Sequence, residues 1–134
     1  MLNPFPSLLI YSLVAPFILR IVVGIIFLDL GLVLFKGEKE RWLLSLSTLR
    51  IPKPRLALKV LGIIEIAGGL MFIFGFYTQI AALALALLTF CEAYTEYKDP
   101  SVLKRSLVFY TLLLAITASL LVSGAGAFAI DLPL

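Results

Sequence analysis

Three ionisable side chains in largely apolar surroundings are the candidates for chemistry in this sequence. Arg20 lies in the apolar run 16–35, Glu65 lies near the middle of the apolar run 56–75, and Asp131 lies close to the C-terminus. A charged side chain in a membrane interior costs about 2.5–3.5 kcal/mol, so it normally faces protein or water and has a partner. Because the planar fork of an arginine serves two carboxylates at once, we expect Arg20 to contact both Glu65 and Asp131.

Four glycines predict the helix contact that would bring the first two of these side chains together. Gly68 and Gly69 follow Glu65 at three- and four-residue spacing, which places them on its helical face. Gly24 and Gly31 lie on the same helical stripe as the arginine. Helices approach each other closely where such side chains are missing, so we expect the first and second apolar helices to meet along these glycines.

Two interpretations of this charged cluster stay open. In the first, the cluster is structural and specifies which helices touch. In the second it is a ligand site, in which Arg20 binds a quinone carbonyl or a small anion and Glu65 carries a proton, with Asp131 at the mouth.

The composition predicts an all-α integral membrane protein. The chain has 134 residues, of which 62% are hydrophobic and 14% charged, and its mean hydropathy is +1.12. Apolar runs of about twenty residues match a bilayer core. We expect residues 1–134 to form a single domain, a bundle of four transmembrane helices over residues 16–35, 56–75, 78–97 and 101–122. The stretch 42–51 combines Trp, Leu and Ile with Ser, Thr and Arg, which is typical of an interfacial helix.

The basic residues predict the orientation in the cell membrane. Of eleven Lys and Arg, seven lie within residues 36–59, in and just after the first loop, and three lie within residues 98–105, around the junction of the third and fourth spans. Since positive loops stay inside, we expect loops 36–55 and 98–100 to be cytoplasmic and both termini to be outside. The same location explains the net charge of +3 without nucleic acid. The first loop also suits anionic lipid, which we expect to be incidental to function.

The sequence excludes several kinds of redox and metal site. It has no histidine and one cysteine, Cys91. Bis-histidine haem ligation, an ordinary zinc site and an internal disulfide are therefore excluded. We expect no metal and no intrinsic cofactor.

A second acidic set, Asp29 and Glu92, lies in the predicted inner half of the membrane. These carboxylates are expected to pair with Lys36, Lys104 or Arg105 by snorkelling, or to face another subunit.

The order of these motifs resembles the DoxX family of small four-helix membrane proteins. The resemblance covers nearly the whole chain. The C-terminal run 123–131 looks like the family's glycine-rich ending before a final aspartate. The other matching motifs are Arg20-x3-Gly24-x2-Phe27-x3-Gly31, Glu65-x2-Gly68-Gly69 and Gly75-x2-Thr78-x2-Ala81-Ala82.

The resemblance implies a membrane subunit of a prokaryotic oxidoreductase system, similar to that of a thiosulfate:quinone oxidoreductase. It implies that the chain takes part in electron transfer by binding quinone, for which Arg20, Glu65 and Asp131 are the candidate residues, or by docking a redox partner protein. The other expected partners are the lipid bilayer and a second copy of the chain. The alternative is a non-enzymatic scaffold or small-molecule carrier whose polar cluster is structural. The sequence does not decide whether the chain catalyses a reaction by itself.

Overall fold

The structure, a computed structural model, describes residues 7, 11–37, 39–48, 50–101, 103 and 105–130. The regular elements of that part of the chain are all helical, as predicted. They are α1 (Val14–Lys36), α2 (Lys39–Thr48), α3 (Pro54–Phe74), α4 (Thr78–Lys98) and α5 (Leu107–Ser123).

Three helices of the described chain, α1, α3 and α4, are long and apolar enough to cross a membrane. They have 23, 21 and 21 residues, which at 1.5 Å per residue gives about 32–35 Å against a bilayer core of about 30 Å. The predicted spans 16–35, 56–75 and 78–97 agree with these helices to within two residues at each end. α5 is apolar but has only 17 residues.

The last helix begins later than predicted. The predicted span starts at residue 101, just after Asp99, whereas α5 begins at Leu107. Asp99 Oδ1 instead accepts hydrogen bonds from the backbone N–H and the hydroxyl of Ser101, at 3.2 and 2.6 Å. Local bonds of this kind hold the backbone in a turn and compete with helix formation. The predicted start is therefore wrong.

The predicted spans 56–75 and 78–97 leave two residues between them, and the structure has the tight helical hairpin that so short a connection requires. α3 ends at Phe74 and α4 begins at Thr78. Gly75 ends α3 in the left-handed conformation, with φ +65°, and its N–H points to the carbonyls of Met71 and Phe72. Glycine adopts this conformation without a steric penalty, so the chain reverses within three residues.

The helices share one large core and a smaller one. α1 packs most extensively on α3, and α4 packs most extensively on α5. All four contribute to the large core, which contains Val23, Phe27, Leu30, Phe72, Ala81, Ala82, Leu85, Leu113 and Leu120. The smaller core lies where α2 packs on the other helices and contains Leu34, Trp42, Leu46, Leu58, Leu103 and Tyr110.

These contacts define two ends of the molecule. The α2 end contains α2 and the smaller core, and the tail end contains the α3–α4 turn and residues 124–130. The predicted helix over 42–51 corresponds to α2, in which Trp42 and Leu46 are buried against the smaller core. Its location in a membrane interface stays a prediction.

Candidate functional site

Arg20 fixes the C-terminal tail to the tail end of the molecule. Its side chain is fully buried. Nη1 donates a hydrogen bond to the carbonyl of Ala125 at 2.9 Å, and Nη2 donates one to the carbonyl of Phe128 at 3.2 Å. The N–H of Ala127 donates to the carbonyl of Leu13 at 2.9 Å. The tail thus folds back onto the start of α1, as expected, and backbone carbonyls accept the hydrogen bonds of the buried cation.

Gly75 makes room for the guanidinium. A Cβ at this position would collide with Arg20 Nη1, would lie 2.7 Å from Arg20 Cζ and would lie 2.8 Å from the Cβ of Ala129. The aromatic ring of Phe17 covers another side, 5.5 Å from Arg20 Cζ. The α3–α4 turn, the start of α1 and the tail therefore enclose the arginine together.

The structure does not bring Arg20 and Glu65 together. Glu65 lies level with Gly31, since a Cβ on Gly31 would be 3.2 Å from the Cβ of Glu65, whereas Arg20 lies level with Gly75. Ten residues of α3 separate Glu65 from Gly75, which is about 15 Å along the helix axis. The expected contact is wrong because α1 and α3 pack antiparallel in a register that places the two charges at different depths. Asp131, the expected second acceptor, lies outside the described residues.

The glycine motifs lie where helices approach most closely. A Cβ on Gly24 would lie 2.9 Å from the carbonyl oxygen of Gly69, and a Cβ on Gly69 would lie 2.8 Å from that of Gly24. A Cβ on Gly31 would lie 3.0 Å from the carbonyl oxygen of Gly62. These residues form the contact between α1 and α3. A Cβ on Gly68 would instead lie 2.8 Å from the side chain of Leu85, on α4.

Glu65 contacts a second carboxylate, that of Glu92 on α4. The two side chains are 0% and 3% exposed, and they lie within hydrogen-bonding reach of each other. Neither oxygen of Glu65 accepts a hydrogen bond from the described residues. The same is true of Oε2 of Glu92. Two acceptors face each other here, and a bond between them requires a proton on one of them.

The nearby cation is bound by a different carboxylate. Arg105 Nη2 lies 2.7 Å from Asp29 Oδ2, which makes Arg105 the partner of Asp29 among the three cations considered. Arg105 also lies over the ring of Phe109, with Cζ 4.9 Å from the centroid. Arg105 interacts with Glu92 electrostatically, without a hydrogen bond between them. Asp29 thus pairs with Arg105, one of the three cations named as alternatives, whereas the neighbour of Glu92 is Glu65.

An apolar pocket of about 450 Å³ opens beside this carboxylate pair, between α2, α3 and α4. Its lining includes one charged side chain, that of Glu92. The exposed thiol of Cys91 also lies on its wall. The remaining lining residues are Trp42, Leu46, Ile51, Ala57, Val60, Leu61, Leu88, Phe90, Tyr94 and Thr95. An apolar cavity of this size with a polar group at its wall is typical of a site for a small ligand.

Sequence reasoning missed both the carboxylate pair and the pocket. The pair follows from the hairpin, since Glu65 lies nine residues before the end of α3 and Glu92 lies fourteen residues after the start of α4. The difference of five residues is about 7.5 Å along the axis, a separation that two glutamate side chains span. The pocket depends on how α2 folds back, for which the sequence carries no pattern. In the described chain, no group of three His, Cys, Asp or Glu side chains is placed to hold a metal ion.

Comparison with known proteins gives one finding at the level of the family. The family model described as DoxX matches residues 15–97, which is more than half of the chain. No curated protein and no solved structure matches the chain.

Proposed function

Since the chain belongs to the DoxX family, we propose that it is a four-span membrane subunit of an oxidoreductase system and binds a lipid-soluble quinone. The binding site in this proposal is the apolar pocket between α2, α3 and α4. Electrons reach the quinone from a redox partner protein, because the sequence contains no redox centre of a recognised kind. In this topology α5 is the fourth span, the α2 end is cytoplasmic and both termini are outside.

The pocket is the observation that supports this function. Its volume of about 450 Å³ falls within the range of roughly 300–1,000 Å³ that small-molecule sites occupy. Aliphatic and aromatic side chains suit a quinone ring and the first units of an isoprenoid tail. The pocket is bordered by half-exposed faces of α3 and α4, including Val60 and Phe90, which would contact lipid in a membrane. A ligand dissolved in the bilayer would therefore enter from the side.

The ligand site predicted at Arg20, Glu65 and Asp131 stays a prediction, and the geometry favours the pocket over it. Both terminal nitrogens of Arg20 bind tail carbonyls. A ligand carbonyl at Arg20 would have to displace the tail, whereas a ligand in the pocket displaces no hydrogen bond of Glu92 Oε2.

The single tryptophan of the chain, Trp42, provides a direct test because it lines the pocket. Quinones quench tryptophan fluorescence at short range. We expect saturable quenching when decylubiquinone is added to the purified protein in detergent. Ala57→Phe fills the pocket and should abolish the saturable phase. Ala67→Phe is the matched control, since Ala67 is exposed on the same helix and the added ring would face detergent.

Two outcomes would contradict the proposal. Quenching that rises linearly with quinone and is equal in all three proteins would mean that the quinone only partitions into the micelle. Saturable quenching that persists in Ala57→Phe would place the quinone elsewhere. The first result would favour a non-enzymatic scaffold, and the second would contradict the pocket as the quinone site.

A further inference from the structure

We propose that Glu65 and Glu92 form a binding site for one exchangeable proton, which the ligand in the α2–α3–α4 pocket reaches through Glu92. The inference rests on the proposed pocket for its ligand. It assigns a chemical role to two carboxylates on different helices that are buried in contact with each other.

The residues around Glu65 and Glu92 determine whether the pair needs a proton. Glu65 is fully buried, and neither of its oxygens receives a hydrogen bond from the described residues. α1 presents Gly31 to it, a residue with no side chain to donate. The titratable groups near Glu92 besides Glu65 are Cys91 and Arg105, and Arg105 is bound to Asp29.

Electrostatic repulsion between Glu65 and Glu92 favours the binding of one proton. Two carboxylates in contact within a protein interior repel each other strongly when both are ionised, because the low dielectric does not screen them. One proton placed between them removes one charge and turns the contact into a hydrogen bond. The pair is therefore expected to hold one proton and one negative charge, which belong to both residues jointly.

Only one residue of the pair lies next to the pocket. Glu92 lines the pocket, whereas Glu65 lies behind it and is not part of the lining. Oε2 of Glu92 is buried and accepts no hydrogen bond from the described residues, so a ligand reaches this oxygen when the Glu92 side chain turns toward the pocket. With the shared proton between the two carboxylates, the remaining lone pairs of Glu92 accept a hydrogen bond from a ligand hydroxyl. A proton that passes to the ligand leaves the pair with two negative charges, and a proton taken from the ligand restores the shared state.

Dicyclohexylcarbodiimide tests this site, because the reagent is apolar and adds covalently to protonated carboxyl groups in apolar surroundings. The carboxyl adds across the reagent with no leaving group, so one reagent molecule appears as a mass increase. We expect labelling of Glu92 in the purified full chain at neutral pH, located by fragmentation of the labelled peptide. Decylubiquinone should protect Glu92, and Ala57→Phe should slow its labelling. No labelling of Glu92 in the wild-type chain would overturn the proposal.

Two substitutions separate a shared proton from ordinary burial of one acid. In Glu65→Gln the repulsion disappears, so the pH at which labelling of Glu92 falls by half should drop. Glu96→Gln is the matched control. Glu96 lies one helical turn from Glu92, is also buried, and accepts a hydrogen bond from the backbone of Leu103. We expect Glu96→Gln to leave the midpoint unchanged. An unchanged midpoint in Glu65→Gln, with wild-type elution on gel filtration, would overturn the shared proton.

The same experiment distinguishes this inference from the proposed function. Labelling with the Glu65-dependent midpoint but without protection by quinone would support the proton site and contradict the quinone. Saturable quenching of Trp42 without labelling of Glu92 would support the quinone site and contradict the proton site.

Discussion

The tail end and the pocket side of the molecule each bury ionisable groups in apolar surroundings, and they accommodate these groups in opposite ways. At the tail end, Arg20 is enclosed by backbone, and two carbonyls accept its hydrogen bonds. Beside the pocket, Glu65 and Glu92 are equally buried, but they face each other as two acceptors. The first arrangement stabilises the fold, whereas the second leaves buried carboxylate oxygens without a hydrogen-bond donor among the described residues.

The hydrogen bonds of a buried charge help to distinguish a structural role from a functional one. Hydrogen bonds to a charged group contribute about 1.5–3 kcal/mol each, and a buried group without a partner costs about as much. A buried charge such as Arg20, whose terminal nitrogens both donate to backbone carbonyls, is explained by its contribution to the fold. An unsatisfied pair next to a cavity is the more informative signal of function, although Arg20 and Glu65 look equivalent in the sequence.

The strongest test of this comparison is Arg20→Leu. It removes both bonds to the tail and leaves the carbonyls of Ala125 and Phe128 without a buried donor. We expect a loss of about 3 kcal/mol or more in the free energy of unfolding, measured by denaturation in mixed micelles. Arg41→Leu is the control, since Arg41 is exposed on α2. Equal stability of the two variants would contradict the structural role of Arg20.

Gly75→Ala tests the space beside the guanidinium. The added Cβ collides with Arg20, and the left-handed conformation is unfavourable for alanine. We expect a loss of about 1–3 kcal/mol in unfolding free energy. The control is Gly75→Ala in the Arg20→Leu background, where the backbone penalty at Gly75 remains but the collision with the guanidinium is removed. If Gly75→Ala loses the same stability in both backgrounds, the enclosure of Arg20 contributes nothing.

Asp29→Asn examines a charge pair that belongs to neither arrangement. The side chains of Arg105 and Asp29 are 34% and 58% exposed, and exposed ion pairs contribute about 0–1 kcal/mol. We expect a change within that range. A double-mutant cycle with Arg105→Gln measures the coupling, and a coupling above about 2 kcal/mol would show that the pair is structural like Arg20.

Glu92→Gln should change stability least. It removes a charge whose Oε2 accepts no hydrogen bond from the described residues, and its amide can donate to Glu65. We expect an unfolding free energy equal to that of the wild type or higher by up to about 1 kcal/mol. Thermal unfolding in detergent checks this. A loss as large as that of Arg20→Leu would mean that the carboxylate pair holds the fold together.

The length and composition of the apolar runs predicted the long helices. The spacing of the glycines predicted the α1–α3 contact at Gly24, Gly31 and Gly69, but not that Gly68 faces α4. The hairpin at Gly75 follows from a turn too short for any other connection. The start of α5 was missed because Asp99 closes a local turn, and the same residue types mark either a turn or a helix start.

The partners of the buried charges required the register between helices. The glycine-lined helix contact suggested that Arg20 reaches Glu65. In the packed helices, Gly31 lies against Glu65, and Arg20 lies against Gly75. The tail carbonyls are invisible to sequence reasoning about side chains, because every residue has one. The pocket depends on the position of α2, which tertiary packing decides.

Photochemical cross-linking with an azidoquinone tests most directly whether the pocket, and not the tail end, is the ligand site. The purified chain is irradiated with the probe, and the labelled peptides are mapped with and without excess decylubiquinone. We predict competed labels within α3 or α4 at pocket residues such as Ala57, Leu61 or Leu88. Competed labels at Phe17 or within residues 124–130, with the pocket unlabelled, would place the ligand at Arg20 and contradict the account.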